Sequence, residues 1–249
     1  MGGINLFPQT HVYFAGIVLE KMNDAVALGS VFPDMAIGAG VNRDVSHNSG
    51  LEMFHFLKSD SGLLDFALAN MTHGVSPDGL DYYGDEKNPP YERGYCFEKG
   101  RALVDQTIKA CNIPPEMGWW KAHNIVEMGI EMRISTSGDY GECLYRAFQN
   151  RDLIKSVSER LGEFYGVGPH PFTRRMSSFP SYIDLTNPTA ESLAAKYDYQ
   201  MSYKHRIHIN INEVAKLIRL ASEMVDDDLD NFFLAVTRKV KKTVESMLP

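Results

Sequence analysis

Residues 119–131 read WWKAHNIVEMGIE, and their spacing decides the fold class. His123, Glu127 and Glu131 fall four apart, so on a helix they share one face, with neighbouring Cβ atoms about 5–6 Å apart. Ile125, Val126, Met128 and Ile130 flank them, which turns the polar stripe towards the protein interior. A buried carboxylate is costly without a partner. A divalent cation suits both an imidazole and a carboxylate; the plainer alternative is a hydrogen-bonded core histidine beside a surface glutamate.

Helical patterns extend on both sides. Upstream, Pro114 and Pro115 open this helix, which runs to about Arg133. The spacing predicts helices over 97–111, 61–73 and 49–57. A first helix spans His11 to about Met22, with Thr10 as its cap, and AVALGSVFPD closes a second apolar stretch at Pro33–Asp34. Downstream, a helix or pair covers 139–165, Thr189 caps another, and 229–248 is amphipathic. Segments 74–94 and 166–188 read as loops dense in turn formers. RIHININ (206–212) alternates like a strand, yet Ile207, Ile211, Val214 and Ile218 also fit a helix, and both options stay open. The expectation is one all-α domain over 1–249, a multi-helix bundle, with a metal-site part at about 9–131 and additional helices over about 139–249.

Composition narrows the class of function. The 249 residues include 25 basic and 32 acidic side chains, a formal charge of −7. The first 150 residues hold a net −8 and five of the eight histidines, whereas 151–249 are nearly balanced. Such a region repels duplex nucleic acid unless cations intervene, and it supplies the donors of a metal site. No apolar run reaches the roughly 20 residues of a transmembrane helix. No secretory signal is visible, and Cys96, Cys111 and Cys143 form no C-x-x-C pair. These features point to a cytoplasmic protein.

Further candidate ligands lie upstream of His123. His73 ends an apolar helix and Asp78 follows five residues later, where a turn at Gly74 and Pro77 can bring it back. His11 sits in the apolar first helix, Asp34 follows Pro33, and His47 and His55 are eight apart. Singly these are weak signals. Together they furnish the several nitrogen and carboxylate donors that one or more metal ions require.

The order of these residues resembles the zinc-dependent phospholipase C family over residues 9–131. Thr10-His11 before VYFAGIVLEKM is similar to the family's first helix, with its ligand histidine. LGSVFPD resembles the segment carrying an active-site aspartate. A histidine, an apolar helix ending in T-H, a nearby acid and H-x-x-x-E then follow in the family's order. The resemblance implies an all-α fold shared with fungal single-strand-specific zinc nucleases, and one to three Zn2+ or other divalent ions. It implies His11, Asp34, His73, Asp78, His123, Glu127 and either His47 or His55 as ligands, with Asp34 also the catalytic group that orients or deprotonates water. The implied activity is hydrolysis of a phosphate ester, a phosphodiester of a small molecule or a lipid headgroup.

Three departures accompany this resemblance. The His73–Asp78 gap is five rather than four, which makes Asp81 an alternative to Asp78. Ten residues precede His11, whereas the extracellular enzymes use their N-terminal residue as a ligand. No histidine lies between His73 and His123, a place that Asp81, Asp85 or Glu86 can take. The competing expectations are a nuclease, another metal-dependent esterase, or a non-catalytic metal-binding or structural protein on the same fold. No adjacent His-Asp dyad, H-E-x-x-H, G-x-S-x-G or P-loop pattern is present. Arg174 and Arg175 read as a solvated loop pair, and Trp119 and Trp120 as core.

Overall fold

Pro8 opens helix α1 (Pro8–Leu19) in the computed structural model, which describes residues 7–86, 89, 91–183, 185 and 188–248. Proline suits a first turn because its missing N–H has no helical partner there. The helix thus begins before Thr10, and Thr10 lies inside it rather than at its cap. Val12, Phe14, Ala15 and Val18 are buried around it, as an apolar helix in a core requires.

The next helices are short and closely joined. They are α2 (Asp24–Ser30), α3 (Phe32–Gly38), α4 (Arg43–Asn48), α5 (Gly50–Leu57) and α6 (Leu64–Met71). The Asn23 side chain caps α2 by accepting from Val26 N–H. Pro33 does not break the chain; it occupies the first turn of α3. Then come α7 (Leu80–Asp85), α8 (Tyr95–Gly100), α9 (Val104–Cys111) and α10 (Gly118–Ile134). The remainder is α11 (Tyr140–Gln149), α12 (Arg151–Tyr165), α13 (His170–Ser178), α14 (Ala190–His205), α15 (Ile211–Met224) and α16 (Leu229–Glu245). The described residues contain no strand, so the all-α class holds.

Two helices lie in segments that read as loops. Six-residue α7 is barely longer than one turn and carries no period to detect. In α13, Phe172 and Met176 share the buried face, but Gly166, Gly168 and two prolines obscure that spacing. RIHININ is not a strand: α14 ends with Arg206 in the left-handed region (φ 59°), and Asn210 caps α15 by accepting from Glu213 N–H. Thr189 does cap α14, in a reciprocal pair with Ser192.

The core joins α1 to α16 without a break, from Val12 to Val244. Helix α10 runs through its middle and packs on α1, α8, α9 and α15. Glycines set the closest approaches. A side chain at Gly129 of α10 would strike the backbone of Ala221 and Ser222 in α15, and one at Gly29 of α2 would strike the Phe66 carbonyl of α6. Bringing α2 against α6 places Ser30 beside His73. Among the described residues, no helix is long and apolar enough to cross a membrane.

Candidate metal centre

Five elements converge on one group of donors. His11 comes from α1, Asp34 from α3, His47 from α4, His73 from the turn after α6, and Asp81 from α7. His11, His47 and His73 are almost fully buried. The Nε2 atom of His47 lies 3.3 Å from Asp34 Oδ1 and 3.4 Å from Asp81 Oδ2. That of His73 lies 3.5 Å from both Asp34 Oδ2 and Asp81 Oδ2, and that of His11 is 3.5 Å from Asp81 Oδ1.

These separations are long for hydrogen bonds. They match the edges of a tetrahedron, because bonds of about 2.0–2.2 Å to a central zinc put neighbouring donors about 3.3–3.6 Å apart. The donors form two overlapping groups that could hold a metal ion, His11–Asp34–His73 and His47–His73–Asp81. The far nitrogens of His73 and His47 are anchored, whereas His11 Nδ1 is buried without a hydrogen-bond partner. His73 Nδ1 is 2.6 Å from the Ser30 carbonyl, and His47 Nδ1 is 3.1 Å from the Arg43 carbonyl. A carbonyl at Nδ1 fixes the proton there and frees Nε2 for a cation. The His11 and His73 rings stack at 3.8 Å.

A third group, Asp85–His123–Glu127, stands beside the first two. His123 Nε2 is 3.6 Å from Glu127 Oε2, and the His123 ring stacks on Phe97 at 4.1 Å. Asn124 donates to the same Glu127 oxygen at 3.0 Å. Asp85 Oδ1 is buried and has no hydrogen-bond partner. Asp81 and Asp85 occupy successive turns of α7, so that helix serves both places.

The electrostatics leave these groups short of positive charge. Burial holds His11 and His73 below the ordinary histidine value and pushes His123 down to about 3, so all three are neutral donors at pH 7. Burial pushes Asp81 up to about 7, with Asp34 adding repulsion against the pull of His47 and Arg43. Burial raises Asp85 and Glu127 well above their usual range, with repulsion from Asp81 adding to Asp85 and repulsion from Asp85 and Asp81 adding to Glu127. For Asp34, burial acts upward, but the close approach of His47 and the neighbouring imidazoles outweigh it and hold the carboxyl below its usual range. Neutral imidazoles among carboxylates that repel one another suit a multivalent cation.

Two expected ligands lie elsewhere. His55 is exposed on α5, beside Phe54. The break between α4 and α5 at Ser49 removes the continuous helix on which it would have shared a face with His47. Asp78 is exposed in the turn before α7. Asp81 takes the place beside His73, because its N–H donates to the His73 carbonyl at 2.9 Å and seats the first turn of α7 over the histidine. Glu131 does not join the stripe with His123 and Glu127. It turns to α1, accepting from the N–H groups of Gln9 and Thr10.

The carboxylates Asp34, Asp81, Asp85 and Glu127 open onto a cleft of about 640 Å³. Its walls carry Arg43, Arg93, Lys121 and Lys204, which no sequence pattern singles out, because isolated basic residues on separate helices carry no period. Trp120 is exposed at this cleft rather than packed in the core, whereas Trp119 is half-buried and donates Nε1–H to the Phe97 carbonyl. Arg175 is in α13, with its guanidinium over the Phe179 ring, and not in a solvated loop. No family model, curated protein or solved structure matches the chain.

Proposed function

We propose that this chain is a divalent-metal-dependent hydrolase of phosphate esters, the activity implied by its resemblance to zinc-dependent phospholipase C. The observation that carries this reading is the set of imidazole and carboxylate donors spaced 3.3–3.6 Å apart, whose carboxylates and His123 open onto one cleft. His11, Asp34, His47, His73 and Asp81 would hold one ion or a close pair, and Asp85, His123 and Glu127 a further one. Nitrogen and carboxylate donors suit zinc, with manganese as an alternative. Ions bound there supply a Lewis acid for the phosphoryl oxygens and lower the pKa of coordinated water towards about 7.

The chain's own groups complete the chemistry. Asp34 lines the cleft and stays ionised, so it can orient the attacking water and take its proton. Arg43 lies close enough to Asp34 and Asp81 to feel their charge, and it can stabilise negative charge that builds on the phosphoryl group. The substrate is a phosphate ester, a small molecule or a lipid headgroup.

Elemental analysis of protein purified without a histidine tag, combined with a screen of p-nitrophenyl phosphate mono- and diesters, tests this reading. One to three metal ions per chain and turnover that is lost on chelation and in Asp34→Asn are expected. Stoichiometric metal without turnover would make the chain a metal-binding protein, and absence of metal would end the proposal.

A further inference from the structure

The four basic side chains of the cleft are unusual in what they lack. Among the described residues, none of Arg43, Arg93, Lys121 and Lys204 has a carboxylate within 4.0 Å, although five acidic residues line the same cleft. Arg93 lies over the Phe97 ring and its Nε–H reaches only the Asp85 carbonyl. The Lys121 residue is 4% exposed, and its Nζ is 3.6 Å from the Trp120 ring centre and 3.1 Å from His205 Nε2, with no anion beside it. Lys204, exposed on the same wall, feels the attraction of Asp34 and, less strongly, the repulsion of Arg43. Like charges are gathered on one wall at a cost, which an anionic ligand would remove.

The charge balance points the same way. Five acidic against four basic groups leave the cleft one charge negative; two divalent ions would make it three charges positive. A single phosphodiester monoanion does not neutralise that excess. We infer that Lys121 and Lys204, supported by Arg43, form an anion pocket beside the metal groups, and that the substrate is a phosphate ester carrying a second anionic group. This rests on the hydrolase reading and deepens it: a cationic or zwitterionic headgroup is disfavoured, and an ester with a carboxylate or a further phosphate is favoured.

Three phosphonates, which contain no ester bond for a phosphate-ester hydrolase to break, test the pocket by calorimetry on the zinc-loaded chain. They are ethylphosphonate, 3-phosphonopropionate and 2-aminoethylphosphonate, with neutral, anionic and cationic tails. The anionic tail should bind about tenfold more tightly than the neutral one, and the cationic tail more weakly than either. Lys204→Gln, at an exposed position, and Lys121→Gln should each shrink the anionic advantage, and together bring it to within about twofold, with zinc content unchanged. Equal binding of all three, or an advantage that survives both substitutions, would overturn the pocket and leave the hydrolase reading standing. A chain that holds no zinc overturns both. A zinc-loaded chain that discriminates the tails but turns over no ester keeps the pocket and loses the hydrolase.

Discussion

Glu131 and Thr10 are 121 residues apart, yet the Glu131 carboxylate receives both the Thr10 N–H, at 2.8 Å, and the Thr10 hydroxyl, at 2.6 Å. Its other oxygen receives Gln9 N–H at 3.0 Å. An acid from the last turn of α10 therefore supplies the cap that α1 lacks in its own sequence. The next residue, His11, is thereby held in place. Removing this carboxylate leaves buried donors unpaired and opens a cavity. Glu131→Ala should destabilise the fold by about 3 kcal/mol, lowering Tm by about 6–12 °C. Metal affinity should also weaken, although Glu131 contacts no ion site, and calorimetry in denaturant-free buffer would read that. An unchanged melting temperature would show that α1 is held by packing alone.

His73 faces two carboxylates and belongs to both groups of donors at the first site, so its loss should be felt more than any other. His73→Ala is expected to lower metal affinity by more than about 100-fold, whereas His55→Ala and Asp78→Asn leave it unchanged. Metal content after dialysis against a competing chelator checks all three. Retention of metal by the first variant, or its loss in either of the others, would reassign the ligands.

How much of this site was legible in the sequence depended on distance along the chain. His123 and Glu127 are set by helical geometry within one element, and their spacing alone brings them together. The choice of His47 over His55 needs the break at Ser49, which the apolar pattern does not show. The choice of Asp81 over Asp78 needs the Asp81 N–H to find the His73 carbonyl, a tertiary arrangement of a helix too short to have a period. Glu131 follows the spacing rule yet points to α1, because unpaired N–H groups at a helix start compete for the same carboxylate. The helical class was plain from Pro114 to Arg133. Starts and stops were less so, since Pro33 opens α3 where the second apolar stretch was expected to close.

Metal binding should release protons, and the sign follows from the carboxyls. Asp81 stands at about 7, so below about pH 7 it must lose a proton before it can bind a cation, and burial, which raises Asp85 and Glu127 as well, acts in the same direction. His123, brought down to about 3, is already neutral there and releases none, and burial lowers His11 and His73 in the same direction. Zinc affinity should fall as pH drops from 7 to 5. Titrations at pH 6 in buffers of different ionisation enthalpy should count more than about one proton per chain, and about one fewer in Asp81→Asn. Heats that do not depend on the buffer would rule this out.

Helix α7 is six residues long and contributes Asp81 to one set of donors and Asp85 to the other. So short a rod has no joint between its two acids. An ion at either set would pass its depth and rotation on to the other acid. Saturation with zinc is then expected to run as a single steep step, and two separate steps would show that the positions fill independently.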